Sequence, residues 1–157
     1  HSATLWSMAA SSEADEDTDV GAMLSLDELV VLRGHKSHVR CVLWDPHAAD
    51  ASAAQLLSMC DSSARLWDIS SALGASGSAA SSLSPLGRVD ASAGTSLGAA
   101  AWDPHFAHEL VVAQDSSLLW HDTRSSVRSD GSGAPIRSVD TSAWWSSSAD
   151  GENSPPV

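Results

Sequence analysis

The sequence predicts an all-β chain built from a repeated unit of short strands and tight turns. Two segments are imperfect copies of each other: residues 42–47 read VLWDPH, and residues 100–105 read AAWDPH. Each copy is followed by an apolar run, an Asp-Ser-Ser turn and a second aromatic run that ends in Asp. Short apolar runs that alternate with such turns are typical of antiparallel sheets.

A repeat of about 40 to 60 residues with this make-up indicates blades of a β-propeller. In the first blade we expect strands over residues 39–44, 56–57, 64–67 and 86–89. In the second blade we expect strands over residues 97–102, 110–113 and 118–121. Residues 2–8 and 28–32 are predicted to be the last two strands of a preceding blade whose beginning is missing. Essentially no helix is expected.

The length of 157 residues suits one ordinary domain but not a closed seven-bladed propeller, which needs roughly seven times 40 residues. We therefore expect a fragment of a larger propeller, with about two to three blades of four-stranded antiparallel sheet over residues 1–124. An acidic loop is predicted at about 11–25 and a Ser/Ala/Gly loop at about 70–84. Residues 125–157 are predicted to be a mostly disordered or aberrant tail, within which 136–139 is one more candidate strand.

The charge balance excludes two classes of partner. Twenty acidic residues against eight basic ones give a net charge of −12. This charge repels phosphate backbones and anionic lipid surfaces, so we expect no nucleic acid as partner. No apolar run approaches the ~20 residues of a membrane span, so we expect no direct membrane insertion. Cys41 and Cys60 are interpreted as free thiols of an intracellular chain, with a disulfide as the alternative.

One set of residues resembles the WD-repeat pattern. Gly34 and His35 precede Trp67-Asp68 by about thirty residues, and Asp61 stands six residues before Trp67. In that family a loop His, a turn Asp and a strand Trp form a hydrogen-bonded structural lock within a blade, and the resemblance assigns these roles to His35, Asp61 and Trp67. The strand hydroxyl that usually joins them is less clear. Ser58 is the nearest, but its register from Asp61 is off by one.

The second blade departs from this pattern. Position 121 is His where the pattern has Trp, and no Gly-His pair precedes Leu97. We expect this blade to lack the hydrogen-bonded lock and to depend on apolar packing alone.

A narrower resemblance covers roughly residues 3–124. The chain is similar to the EARP-and-GARP-complex-interacting protein family, the tumour-suppressing-subtransferable-candidate type of propeller, in ATLWSM (3–8), VLWDP (42–46) with LLS (56–58), AWDPH (101–105), VAQDSSL (112–118) and HDTR (121–124). The resemblance implies a non-enzymatic scaffold whose partners are subunits of complexes that tether vesicles in endosomal recycling and retrograde transport. It also implies a cytoplasmic location, peripheral at the trans-Golgi network or endosomes.

A second function remains open beside the scaffold. Some WD-repeat proteins are substrate receptors of cullin-type ubiquitin ligases and dock through a Trp-Asp-x-Arg end of a blade. His121-Asp122-Thr123-Arg124 is a near match, with His in place of Trp. Asp122 and Arg124 are therefore candidate partner contacts. Asp68 lacks the corresponding Arg, because Ser70 stands there.

Three patterns typical of chemistry are interpreted as structural. Residues 94–98 (GTSLG) match the Gly-x-Ser-x-Gly pattern of hydrolases, but a strand is predicted after them where that motif needs a helix. Asp15, Asp17 and Asp19 have calcium-loop spacing without the loop's Gly and final Glu. Two pairs of histidines three residues apart lack further ligands for zinc: His35 with His38, and His105 with His108. We expect no enzyme, no cofactor and no metal ion.

Overall fold

The computed structural model describes residues 1–11, 23–49, 54–74, 81–125, 127, 130 and 133–146. These residues are mostly β, in three sheets of which none is closed, and this confirms the prediction of an all-β chain. The described residues also contain two five-residue helices, α1 (Ser70–Gly74) and α2 (Ser142–Ser146), although essentially no helix was expected. The acidic loop predicted at 11–25 lies outside the described residues, except for its ends, which belong to strands.

The first sheet has three strands. β1 (Ser2–Ser11) and β2 (Met23–Arg33) pair antiparallel, with a register shift between Leu5 and Trp6. β6 (Ser81–Leu83) adds to β2 in a parallel arrangement. The described parts of the predicted Ser/Ala/Gly loop therefore hold a helix and a strand, α1 and β6.

The second sheet is a four-stranded antiparallel meander that matches the first predicted blade. Its strands are β3 (Cys41–Trp44), β4 (Gln55–Met59), β5 (Ser63–Asp68) and β7 (Gly87–Asp90), in that order. The turn after β4 closes through a hydrogen bond from the Cys60 N–H to the Ser63 carbonyl, at 2.9 Å. The apolar runs predicted as strands and the Asp-Ser-Ser turn predicted between them occupy the expected positions.

The third sheet repeats this meander. Its strands are β8 (Leu97–Trp102), β9 (Glu109–Gln114), β10 (Ser117–Asp122) and β11 (Arg137–Asp140), in that order. The register also repeats, because Leu56 pairs with Trp67 in the second sheet and Leu110 pairs with His121 in the third. Asp115 has a φ of 48° in the β9–β10 turn, a left-handed conformation that Asp tolerates better than most residues.

The boundary placed at residue 124 does not coincide with the end of the third sheet. β11 lies within 125–157, and it supplies the fourth strand of that sheet. Val127 is buried in the core between the second and third sheets. Its backbone passes so close to Gly87 that a Cβ there would lie 2.5 Å from the Val127 carbonyl oxygen, which explains the glycine. Residues 147–157 lie outside the described residues.

Two apolar clusters cover opposite faces of the second sheet. One lies between the second and third sheets and includes Leu57, Leu66 and Leu110. The other lies between the first and second sheets and includes Leu32 and Trp67. Successive side chains of a strand point to opposite faces, so a strand covered on both sides is buried along its length. This explains why the last four residues of β4 are all buried.

Candidate functional site

A buried polar arrangement lies within the second sheet, around Trp67 on β5. Its indole Nε1–H donates to the Ser58 Oγ on β4 at 2.8 Å. The same hydroxyl lies 2.7 Å from Nε2 of His35, in the loop between β2 and β3. All three residues are buried. The His35–Ser58–Trp67 network therefore ties a loop to the two central strands of the sheet.

The chemistry of the indole fixes the direction of one of these hydrogen bonds. An indole N–H can only donate, so the Ser58 oxygen accepts from Trp67, whereas the direction of its bond with His35 Nε2 follows the tautomer of His35. The other ring nitrogen of His35, Nδ1, lies 3.2 Å from the Cys60 Sγ. Burial lowers the pKa of His35, which keeps the ring neutral at pH 7.

Cys60 occupies the position next to His35 that the WD-repeat resemblance assigned to Asp61. Burial raises the pKa of the Cys60 thiol, but hydrogen bonds with neighbouring serines outweigh burial and lower that pKa to about 5. Asp61 is exposed, and its Oδ1 accepts from the Ser37 hydroxyl instead.

The structure thus brings together two of the three predicted lock residues. His35 and Trp67 meet on Ser58, and Asp61 lies outside their network. Ser58 and Cys60 were not among the predicted lock residues. A signal for both was present in the sequence, because alternation along β4 places residues 56, 58 and 60 on one face, and Leu56 pairs with Trp67. Cys41 and Cys60 are both free thiols, as predicted.

The corresponding position of the third sheet has no such network. His121 replaces Trp67 in the register, and Val112 replaces Ser58. The His121 ring is 1% exposed, and neither of its nitrogens has a hydrogen-bond partner among the described residues. Burial lowers the pKa of His121, because no partner compensates for the loss of water around a charged ring. This part of the sheet is therefore held by apolar packing.

The buried His121 should lower the free energy of unfolding, and this loss should grow at low pH. Because its pKa is lowered in the folded state from the ordinary value of 6.5, the unfolded chain binds more protons below about pH 6.5, and stability falls there. We expect His121→Phe to raise the free energy of unfolding by about 1–2 kcal/mol at pH 7 by removing two unpaired nitrogens. The gain should increase between pH 7 and pH 5. Urea unfolding at several pH values measures both effects, and a gain that is absent or does not change with pH would contradict this account.

Trp44 and Trp102 occupy the same position in the two copies but have different surroundings. The Trp102 indole is 8% exposed, packs between the second and third sheets and donates to the Leu43 carbonyl at 3.3 Å. Trp44 is 53% exposed. For the same contact, Trp44 would need a strand in the first sheet that corresponds to β3. Among the described residues that sheet consists of β1, β2 and β6, and it offers Trp44 no such strand.

The candidate contacts Asp122 and Arg124 form one exposed ion pair. The guanidinium donates from Nε to Asp122 Oδ1 at 3.0 Å and from an Nη to Oδ2 at 2.7 Å. This hydrogen bonding lowers the pKa of Asp122 to about 2. The Arg124 side chain remains 67% exposed, so it is accessible to a partner while paired.

The structure describes two of the three motifs that the sequence analysis interprets as structural. Ser96 of the GTSLG segment precedes strand β8, and its N–H donates to Asp115. The ring of His38 contacts His1, whereas His35 contacts Ser58. Asp15, Asp17 and Asp19 lie outside the described residues.

The described part of the chain contains neither a cluster of metal ligands nor a helix that could span a membrane. No group of three or more His, Cys, Asp or Glu residues is placed to hold a metal ion in that part. Among those same residues, neither helix has the length or the apolar character needed to cross a membrane.

Comparison with models of known protein families and with curated protein sequences finds no match to this chain.

Proposed function

We propose that the chain forms WD-repeat β-propeller blades that act as a non-enzymatic scaffold for protein interactions. The observation that carries this proposal is the repetition of one four-stranded meander in the second and third sheets, with the same strand order and register. The His35–Ser58–Trp67 network supports the WD-repeat assignment, because it joins a loop histidine, a strand hydroxyl and a strand tryptophan. Stacked repeats of this kind present extended surfaces to other proteins.

We further propose that the partners are subunits of vesicle-tethering complexes at endosomes and the trans-Golgi network. The basis is the sequence resemblance over residues 3–124, and the net charge of −12 fits it, because the charge disfavours nucleic acids and anionic lipid as competing partners. The chain would act from the cytoplasm and associate with these membranes through its partners.

A second candidate function, the substrate receptor of a cullin-type ubiquitin ligase, is favoured by one observation. Arg124 lies two residues after Asp122, the last residue of β10. Its guanidinium is exposed and is paired with Asp122. A fixed, exposed arginine at a blade end suits a direct contact, because its planar fork loses little freedom when it binds.

The two candidates differ in what they expect of Arg124. A scaffold binds through a broad surface, in which a single exposed arginine at the rim contributes little. An adaptor contact through Arg124 should be abolished by Arg124→Ala. We expect the tagged chain and its Arg124→Ala variant to recover tethering subunits equally on affinity purification with mass spectrometry. Arg40→Ala, which removes an exposed arginine elsewhere, is the matched control.

A different outcome of the same purification would favour the ubiquitin-ligase receptor. Recovery of a ligase adaptor by the wild type and by Arg40→Ala but not by Arg124→Ala, with no tethering subunits in any sample, would replace the first proposal by the second.

A further inference from the structure

A cleft on the second sheet gathers an unusual share of the positive charge of this acidic chain. The sequence has eight basic residues, and Lys36 is its only lysine. Three of the eight line one cleft of about 280 Å³ together with hydroxyl groups: its polar lining is Lys36, Ser62, Ser63, Arg65, Arg88 and Asp90. The volume suits a small group rather than a large ligand.

The two arginines of the cleft are direct neighbours. Arg65 on β5 and Arg88 on β7 are Cα partners in the antiparallel pair. Like charges directly opposite each other destabilise a sheet unless other groups compensate for them. Arg88 has such groups, because its Nε lies 3.0 Å from Asp90 Oδ2 and an Nη donates to the Asp130 carbonyl at 3.0 Å.

Arg65 and Lys36 have no comparable compensation. The Arg65 Nε is buried and has no hydrogen-bond partner among the described residues. Its guanidinium lies against Gly34, where a Cβ would be 2.9 Å from Nη1, so the glycine makes room for it. Lys36 is exposed and forms no ion pair within the part of the chain that the structure describes. The cleft therefore holds two positive charges without an acidic partner there.

We propose that this cleft binds the phosphate group of a phosphorylated serine or threonine on a partner protein. A phosphate monoester offers about two negative charges and three acceptor oxygens, which match the Arg65 guanidinium and the Lys36 ammonium, whereas the Asp90 carboxylate of the lining is paired with Arg88. The net charge of −12 over the whole chain disfavours a nucleic acid or an anionic membrane as the source of that phosphate. The inference rests on the proposed scaffold function, to which it adds control by phosphorylation.

The test uses the full chain and needs no partner. Inorganic phosphate and a phosphoserine hexapeptide are titrated into labelled protein, and the arginine Nε–H signals are followed by NMR. We expect the Arg65 signal to shift and saturate with both probes, but not with the unphosphorylated peptide or with chloride at equal ionic strength. Lys36→Gln and Arg65→Gln should each weaken binding about tenfold or more, because each removes a charge-assisted contact.

Matched controls separate a site from general charge effects. Arg40→Gln removes one positive charge at an exposed position outside the cleft and should leave binding unchanged. Lys36 is exposed, so Lys36→Gln remains informative if Arg65→Gln fails to fold. Absence of a saturable Arg65 shift, or equal weakening by Arg40→Gln, would overturn the proposal. Binding of phosphatidylserine vesicles without binding of the phosphopeptide would also overturn it.

A last measurement separates this inference from the scaffold function. Affinity purification is repeated from lysate treated with phosphatase. Loss of tethering subunits after treatment, and their loss in the Lys36→Gln variant from untreated lysate, would support the phosphate site. Unchanged recovery in both cases would overturn the phosphate site and leave the scaffold function intact.

Discussion

Replacing Trp67 by alanine is expected to lower the free energy of unfolding by about 3–5 kcal/mol, the range for truncating a fully buried tryptophan. Trp67 is 0% exposed and lies in the cluster between the first and second sheets. Its loss would leave a cavity and would also remove the donor to Ser58, on which His35 depends. Chemical denaturation of the chain and the variant measures the difference.

Two companion variants show which part of this loss comes from the network. Trp67→Phe retains an aromatic ring but removes the indole donor, so it should fall between the wild type and Trp67→Ala. His121→Ala truncates the equivalent side chain of the third sheet, where neither ring nitrogen has a partner among the described residues. It should cost much less than Trp67→Ala. Equal losses at positions 67 and 121 would be inconsistent with a stabilising network in the second sheet alone.

Trp102→Ala is expected to cost a similar amount, about 3–4 kcal/mol, for a different reason. Trp102 packs in the cluster between the second and third sheets, and its indole donates across to the Leu43 carbonyl. The variant should therefore weaken the contact between two neighbouring sheets rather than the interior of one. Hydrogen exchange should show faster opening of β8 together with β3.

Trp44→Ala is the matched control, because Trp44 occupies the same position in the first copy of the repeat and is 53% exposed. Its expected cost is below about 1 kcal/mol, as for most exposed positions. If Trp44→Ala and Trp102→Ala destabilised the chain equally, the packing of the third sheet on the second would be different from that described above.

The strands and turns could be predicted because they depend on local chemistry. The two copies of the Trp-Asp-Pro-His motif, each followed by an Asp-Ser-Ser turn, place the first three strands of both four-stranded sheets to within a few residues. From the sequence β11 is only a candidate strand, because its residues RSVD follow a Ser/Gly-rich stretch and lack an apolar run. Its pairing with β10, including a cation–π contact from Arg137 to Trp120 at 4.3 Å, is a tertiary interaction that local sequence does not indicate.

The network around Trp67 could be predicted only in part. The family pattern identified His35 and Trp67. It gives the partner of His35 only as an Asp in the turn, and Asp61 is the residue that fits this description. Which turn residue points toward His35 depends on the face of the strand. Cys60 continues the face of Ser58, whereas Asp61 points away and accepts from Ser37. The cleft that contains Lys36 and Arg65 depends on how a loop packs beside the β5–β7 pair, and no motif marks it.

Hydrogen exchange of the tryptophan indole protons tests the central claim, the buried His35–Ser58–Trp67 network, most directly. The Trp67 indole proton should exchange slowly, whereas those of the exposed Trp6 and Trp44 should exchange rapidly. Ser58→Ala should accelerate exchange at Trp67 more than at Trp102, because it leaves the Trp67 donor and His35 Nε2 unpaired at about 1–3 kcal/mol each. Rapid exchange at Trp67 in the wild type, or equal acceleration at both positions, would contradict the network.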